Sequence, residues 1–320
     1  MKMLNVSSSP HVRENTSTRN IMMDVCIAML PTAAYGVVQF GINSLLVIII
    51  TVLAAVAAEF LWEKGMKKPI TIGDFSAVVT GMILALNMPP EIPLWIPALG
   101  AVFAIIIAKQ MFGGLGQNWM NPALAGRCFL IISCAKFMNN FTSPAIGFDS
   151  TTGATPLAVM KTAWKAGESA TANVDLMQLF IGRIPGTIGE VSAIALLVGA
   201  AYLLWRKVIT WQIPVIYIAT VAVFVFIFGE HSVNYVLAQV LSGGLIFGAF
   251  FMATDYVSTP ITPKGQIIYA IFIGFLTGLF RLFGTGAEGV SYSIIIGNMV
   301  SPLIESATIP VAFGREGKKK

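Results

Sequence analysis

The feature that most constrains this chain is a series of apolar runs, each about twenty residues long. The hydrocarbon core of a bilayer is about 30 Å thick, and a helix needs about 20 apolar residues to cross it. The runs therefore predict an all-α polytopic membrane protein with about ten transmembrane helices. The predicted spans are residues 21–40, 44–61, 74–88, 92–108, 119–135, 187–205, 208–229, 234–253, 266–283 and 289–306.

The composition agrees with a membrane protein and excludes several other classes. Hydrophobic residues make up 56% of the 320 residues and charged residues 11%, whereas soluble domains carry about 25% charged residues. The net charge of +5 informs on loop orientation, so no nucleic-acid partner is predicted. The cysteines (Cys26, Cys128, Cys134) and histidines (His11, His231) show no metal-ligand spacing, and no metal site is predicted.

The distribution of lysine and arginine predicts the orientation in the membrane. The short loops 41–43, 89–91 and 230–233 contain neither residue type, whereas the tail 307–320 is basic. Because short basic loops stay in the cytoplasm, both termini are predicted to be cytoplasmic in a bacterial or archaeal inner membrane. The loop 136–186 then falls outside; its own basic residues do not change this, because long loops translocate largely regardless of charge.

The spans divide into two halves of five, and an odd number of helices per half inverts one half relative to the other. In each half the third span is interrupted by glycine and proline, and the fifth contains Asn121-Pro122 or Ser301-Pro302. Paired broken helices indicate a site between inverted repeats near the midplane. The predicted organisation is a cytoplasmic segment (1–20), a first five-helix repeat (21–135), an external loop (136–186), a second five-helix repeat (187–306) and a basic cytoplasmic tail (307–320).

The longest polar interruption contains an unusual motif. Residues 149–157 read Asp-Ser-Thr-Thr-Gly-Ala-Thr-Pro-Leu, a composition that no packing role demands. On its own this motif is also compatible with an ordinary polar turn. Other distinctive strings accompany it in a fixed order: Ser-Pro-His at 9–11, Thr-Gly-Met-Ile-Leu-Ala-Leu at 80–86, Phe-Gly-Gly-Leu-Gly at 112–116, Asn-Pro-Ala-Leu-Ala-Gly-Arg at 121–127, Pro-Gly-Thr-Ile-Gly-Glu at 185–190 and Phe-Gly-Ala-Phe-Phe-Met-Ala-Thr-Asp at 247–255.

Together these strings resemble the family of the D subunit of the Rnf electron-transport complex and, more distantly, the B subunit of the sodium-pumping NADH:quinone oxidoreductase. The resemblance runs from Ser9 to about Pro302. It implies ten helices and an FMN esterified through its phosphate to the last threonine of the motif, Thr155. It also implies a maturation enzyme, a flavin transferase that reads Asp149, and it allows a second, noncovalent flavin, riboflavin.

The residues of the motif suit that chemistry. A phosphoester requires a hydroxyl group, which Thr155 supplies. The candidate binding site also includes Asp149, Thr152, Gly153 and Ala154, and the small side chains of the last two allow a modifying enzyme to approach the backbone. Pro156 restricts the residue before it to an extended conformation, which is predicted for Thr155.

Several charged residues fall within or at the ends of spans. Arg127 lies inside an apolar span, where an arginine is costly and usually paired or functional; a flavin or phosphate contact and a structural ion pair are both compatible with the sequence. Glu190 and Asp255 lie beside glycine- or threonine-rich segments and are candidates for an ion path, with a helix cap or interfacial pair as the alternative. Asp74 is predicted to cap a helix, and Arg281 to extend towards the interface.

The leading hypothesis is an electron-transfer subunit of an ion-translocating ferredoxin:NAD⁺ oxidoreductase. The resemblance implies other Rnf-type membrane subunits as partners, together with flavin and iron–sulfur subunits. Na⁺ or H⁺ would cross between the repeats, and residue type alone does not select between them. Two alternatives remain: an inverted-repeat transporter or channel without redox chemistry, since fold does not fix function, and a structural scaffold for the complex. Thr155 discriminates among the three.

Overall fold

The computed structural model describes residues 16–141, 153–167, 169, 174–284 and 289–310. Within these ranges the chain forms helices and turns and no β-strand. The helices are α1 (Thr18–Phe40), α2 (Ile42–Gly65), α3 (Ser76–Leu86), α4 (Trp95–Phe103), α5 (Pro122–Ser133), α6 (Ala135–Met138), α7 (Pro156–Ala166), α8 (Leu176–Ile181), α9 (Ala193–Trp205), α10 (Gln212–Phe228), α11 (Val233–Leu241), α12 (Leu245–Phe247), α13 (Pro263–Phe283) and α14 (Val290–Thr308). A 3₁₀ turn (Ile72–Asp74) precedes α3, and π-helical turns extend α4 (Ala104–Gln110) and α12 (Gly248–Met252).

Each of the ten predicted segments contains a helix, but most of these helices are shorter than predicted. In the described part of the chain, α1, α2 and α13 are long and apolar enough to cross a membrane. A fourth span results if α11 and the helix Leu245–Met252, bent by 63° at their junction, are counted together. The all-α prediction is therefore confirmed, while ten full spans are not. Asn87 follows the end of α3, and Asn121 and Pro122 begin α5 inside the predicted fifth span.

One of the predicted interruptions is present where it was expected, between α11 and α12, whereas others differ. Residues 80–82 lie within the continuous helix α3, which ends only at Leu86. Pro122 does not break a span but is the first residue of α5, with Asn121 as its N-cap, and this is the position where proline is best tolerated in a helix. Pro302 lies inside α14. The break between α11 and α12 is real, with Gly243 and Gly244 at φ +67° and +65°.

The region predicted as an external loop, 136–186, contains helices that were not predicted. Helices α7 and α8 and most of α6 fall within it. Helix α7 begins with a Thr-Pro pair and α8 with Asp175 as N-cap. Both are signals of helix starts in a sequence, so these two helices could have been predicted from local residues.

A non-helical segment lies in the protein core between α8 and α9. Residues 187–193 are buried, and the N–H groups of Ile188 and Gly189 donate to the carbonyls of Met88 and Leu86, at 3.0 and 2.7 Å. These bonds satisfy the carbonyl of the last residue of α3, which lacks a helical partner, and that of Met88 just beyond it. A side chain at Gly189 would place its Cβ 2.5 Å from Cβ of Leu86. Non-helical backbone at membrane depth requires such burial and pairing.

Candidate functional site

Thr155 ends an extended stretch and begins a helix. Its φ and ψ of −61° and 148° confirm the predicted extended backbone, and Pro156 is the first residue of α7. The Thr155 hydroxyl accepts a hydrogen bond from the N–H of Ala158 at 3.3 Å, so it caps the helix. The N–H of Gly153 donates to the carbonyl of Phe141 at 3.2 Å. Thr155 is half-buried and Ala154 is exposed.

Two predicted residues, Asp149 and Thr152, lie outside the described residues.

Thr155 and Glu190 line the same cavity, which we call the outer pocket. This pairing was not predicted, since the two residues were assigned to flavin attachment and to an ion path respectively. The outer pocket is lined by Thr155, Pro156, Leu157, Ile184, Pro185, Gly186, Glu190, Val191 and Gly243. It therefore joins the start of α7, the segment that precedes α9 and the break after α11.

A second cavity shares Pro156, Ile184 and Pro185 with the outer pocket. Its lining includes Ala154, Pro156, Asp175, Gln178 and Arg183, and the Arg183 side chain is exposed. The beginning of the 11-residue helix α7 is a suitable place for a phosphate, because N–H groups and the helix dipole both favour negative charge there. A hydroxyl, a helix N-terminus and a guanidinium thus occur around one short segment.

Arg127 is a buried member of an ion pair. Its Nη1 donates to Oε1 of Glu190 at 3.0 Å and to Oδ1 of Asn87 at 2.5 Å, and Arg127 is 3% exposed. Asn87 in turn donates to the carbonyl of Ile83 at 2.6 Å. The structural ion pair, one of the two interpretations of Arg127, is therefore present, and it links α5, the end of α3 and the segment before α9.

The two glycines of the α11–α12 break lie where these contacts converge. A Cβ at Gly244 would be 2.3 Å from Oε1 of Glu190, and a Cβ at Gly243 would be 2.6 Å from Cδ2 of Leu157. Both glycines have left-handed φ values, which residues with a side chain rarely adopt. Glycine is therefore required here by backbone geometry and by the close approach of Glu190 and Leu157.

Arg281 is buried rather than extended to the interface, so that prediction was wrong. It is 2% exposed and donates hydrogen bonds to the carbonyls of Gln239, Ser242 and Gly243. The carbonyls at a helix C-terminus carry partial negative charge, which gives the guanidinium a favourable partner inside the protein. Sequence position near a span end did not reveal this, because the partners are distant in the chain.

Asp255 lines a separate cavity, which we call the inner cavity. Asp255 follows the π-helical turn Gly248–Met252 and accepts a hydrogen bond from the Ser258 hydroxyl at 2.9 Å. Burial raises the pKa of its carboxyl, and hydrogen bonds from Ser258 and Asn118 oppose that effect. Other lining residues are Ser76, Thr80, Lys109, Asn118, Asn121, Phe250 and Phe251, with apolar residues of α1 and α9. Asp255 and Glu190 therefore line different cavities.

A buried polar network borders the inner cavity and was not predicted from the sequence. Nζ of Lys109 lies 2.6 Å from Oε1 of Glu59 and 2.6 Å from Oγ of Ser76, and Gln110 donates to Glu59 at 2.7 Å. Glu63, one turn further along α2, accepts from the N–H of Thr71 at 2.9 Å. Lys109 directly follows an apolar run in the sequence, and it lies inside the π-helical turn with 2% of its surface exposed.

Asp74 bonds to the start of α3 from one residue before the N-cap, which is Phe75. Its Oδ1 accepts hydrogen bonds from the N–H and hydroxyl of Ser76, the first residue of α3, at 2.8 and 2.6 Å. Ser76 also contacts Lys109, so these bonds hold one end of the buried network in place.

Comparison with known proteins gives near-complete matches. The family model described as the NQR2, RnfD, RnfE family matches residues 5–314. The D subunit of the Na(+)-translocating ferredoxin:NAD(+) oxidoreductase complex of Acetobacterium woodii is 48% identical over 319 residues, covering 99% of this chain and 97% of the relative. The D subunit of the proton-translocating ferredoxin:NAD(+) oxidoreductase complex of Clostridium ljungdahlii is 46% identical over 316 residues, covering 97% and 96%. The D subunit of an ion-translocating oxidoreductase complex of Actinobacillus succinogenes is 35% identical over 357 residues, covering 99% and 100%.

Proposed function

Because this chain belongs to the NQR2, RnfD, RnfE family, we propose that it is the membrane-embedded D subunit of an ion-translocating ferredoxin:NAD⁺ oxidoreductase complex. The observation that carries this proposal is the 48% identity over almost the whole of both chains. Its partners are other Rnf-type membrane subunits and the flavin and iron–sulfur subunits of the complex. We place it in the inner membrane of a bacterium or archaeon, as two inverted five-helix repeats with cytoplasmic termini and the Thr155 segment outside.

The proposal includes a covalent FMN on Thr155, added by a flavin transferase that reads Asp149. The residues around Thr155 fit such a group. The hydroxyl required for a phosphoester lies at the N-terminus of α7, where a phosphate is favoured, and Arg183 lines the adjacent cavity. FMN would supply one-electron chemistry, while the protein sets its position and electrostatic environment. Gly153, Ala154 and Thr152 would give the transferase access to the hydroxyl.

A noncovalent riboflavin is a further part of the proposal, and the inner cavity suits it. Ligand cavities for ring systems are mostly apolar and contain a few polar groups that fix orientation. Phe250 and Phe251 contribute aromatic surface to the inner cavity, and Ser76, Asn118 and Asp255 contribute hydrogen-bonding groups. Phe250, Phe251, Ser76 and Asn118 would bind and orient the ring system and its hydroxylated chain, and Asp255 is assigned to the ion path below.

We propose Glu190 and Asp255 as residues of the ion path. Glu190 shares the outer pocket with Thr155. A change in the charge of a flavin attached to Thr155 would therefore act on the Glu190 carboxylate over a short distance. In a medium of low dielectric, one unit charge shifts a nearby cation site by several kcal/mol, as an order of magnitude. Because burial raises the pKa of Asp255, its carboxyl takes up a proton at higher pH than an exposed aspartate. Two of the relatives described above are named for different ions, so either Na⁺ or H⁺ fits.

The alternative is a transporter or channel without redox chemistry. The break between α11 and α12 favours it, since broken helices occur in many transporters. Such a protein has no use for an esterified threonine. Covalent flavin therefore separates the two functions.

Covalent flavin is tested on the intact chain produced with and without the flavin transferase. We expect in-gel flavin fluorescence under denaturing conditions only when the transferase is present, and a flavin-bearing peptide that contains Thr155. Equal amounts of folded protein in the two preparations serve as the control. Absence of fluorescence in both preparations would favour the transporter.

Ion coupling is tested in vesicles that contain the assembled complex. We expect Asp255→Asn and Glu190→Gln to lower ion uptake by about tenfold, which corresponds to about 1.4 kcal/mol, with a smaller effect on electron transfer. Glu91→Gln is the matched control, since Glu91 is an exposed carboxylate. Unchanged uptake in either variant removes that residue from the ion path, and equal losses of uptake and electron transfer indicate a role in folding or assembly.

A further inference from the structure

The end of helix α11 has the geometry of a cation site. Helix α11 ends at Leu241, and the carbonyl oxygens of Gln239, Ser242 and Gly243 all accept hydrogen bonds from one guanidinium group, that of Arg281. The bonds to Ser242 and Gly243 are each 3.0 Å long. In membrane transporters, carbonyls at such a helix end coordinate the transported cation. We call these three converging carbonyls the carbonyl cup.

The side chain in the carbonyl cup is a permanent cation. Arginine stays protonated in proteins, and Arg281 is 2% exposed on the last turn of α13. Its charge lies at the negative end of the α11 dipole, where a cation is stabilised. The Arg281 guanidinium thus fills the position of a bound ion. Because it is covalently attached to the chain, it cannot dissociate.

The carbonyl cup also contacts the helix that carries Thr155. A Cβ at Gly243 would lie 2.6 Å from Cδ2 of Leu157 and 3.0 Å from Nη2 of Arg281, so these two side chains meet over Gly243. Lys161, one turn further along α7, donates to the carbonyl of Phe280 at 3.4 Å, next to Arg281 in the chain. Helix α7 therefore contacts the α11–α12 break, whose backbone is fixed by the hydrogen bonds from Arg281.

We propose that Arg281 takes the place of a transported cation at the α11–α12 break. Its guanidinium blocks the carbonyl cup to Na⁺ and hydronium, and it fixes the break as the surface against which α7 positions Thr155. Arg281 is thus a positioning residue. Transported cations pass outside the carbonyl cup, on the side of Gly244 that faces Glu190. The part that concerns Thr155 rests on the proposed function, whereas the block of the cup does not.

The test replaces Arg281 by alanine in the full chain, purified in detergent and reconstituted in liposomes. We expect Arg281→Ala to lower thermal stability, and millimolar guanidinium chloride to restore part of it, beyond the effect of equal KCl. We also expect passive Na⁺ flux into liposomes to rise above the wild-type level. Arg206→Ala is the control, since Arg206 is half-exposed and paired with Asp24 at 3.1 Å; it should respond equally to guanidinium and K⁺. The proposed block is overturned if guanidinium does not restore the stability of Arg281→Ala and the passive Na⁺ flux does not rise.

A second variant keeps the proposal testable if Arg281→Ala does not fold. Arg281→Lys retains the charge, so we expect it to fold and to keep Na⁺ flux at the wild-type level; failure to fold would contradict a role based on charge. In-gel flavin fluorescence per folded protein tests positioning: it should fall several-fold in Arg281→Ala and recover in Arg281→Lys. Undiminished fluorescence in Arg281→Ala overturns positioning. If the wild-type chain carries no covalent flavin, the proposed function has failed, while the stability and flux measurements still decide the block.

Discussion

Replacing Thr155 by alanine is expected to remove covalently bound flavin completely, because a phosphoester cannot form without a hydroxyl group. Alanine also removes the N-cap that Thr155 provides to α7 through the N–H of Ala158, and loss of such a cap costs about 1 kcal/mol. A loss of flavin in Thr155→Ala therefore has two explanations, one chemical and one structural. In-gel fluorescence under denaturing conditions measures the outcome but does not distinguish them.

Two further substitutions at the same position separate the explanations. Asparagine is among the best N-cap residues but has no hydroxyl, so Thr155→Asn should keep α7 capped and still lose the flavin. Thr155→Ser keeps both the hydroxyl and the cap and should retain flavin. Thr162→Ala is the matched control, since Thr162 lies on the exposed face of α7 and its hydroxyl donates only locally, to the carbonyl of Ala158 at 2.8 Å. Flavin in Thr155→Asn would contradict attachment at Thr155.

The fold could be predicted from the sequence where hydrophobicity alone decides it. The long apolar runs predicted α1, α2 and α13 within a few residues, because a continuous apolar face is the main requirement for a membrane span. The shorter helices were overestimated at sites such as Pro122, where a local rule ends or starts a helix inside an apolar run. The Thr155-Pro156 pair is a helix-start signal in the sequence. The structure has a helix there, although a loop was predicted.

The candidate site was predictable as a set of residues but not as an arrangement. Thr155, Arg127 and Glu190 were each singled out by an unusual residue type in its local context. That Glu190 binds Arg127 and shares the outer pocket with Thr155 depends on the buried segment before α9, whose position is set by hydrogen bonds to the end of α3. Local sequence patterns do not reveal contacts between distant parts of the chain, which is also why the burial of Arg281 was not predicted.

Replacing Lys109 by methionine is expected to destabilise the protein strongly, because Lys109 belongs to a buried ion pair. Lys109 and Glu59 are 2% and 1% exposed, and their charged atoms are 2.6 Å apart. Removing one partner leaves a buried charge without its counter-ion, which costs about 3–5 kcal/mol, whereas replacing both partners by neutral groups of similar volume is often close to neutral. Lys109→Met should therefore be rescued by adding Glu59→Gln, since glutamine can still bond to Gln110.

The measurement is the free energy of unfolding in mixed micelles, followed by circular dichroism for the wild type, both single variants and the double variant. The control is Arg206→Met, which breaks the pair with Asp24, where the arginine side chain is 50% exposed; partly exposed pairs contribute at most about 1 kcal/mol. A loss in Lys109→Met no larger than in Arg206→Met would show that the buried pair is not stabilising. Additive losses in the double variant would mean that Lys109 and Glu59 act through separate contacts, Lys109 through Ser76 and Glu59 through Gln110.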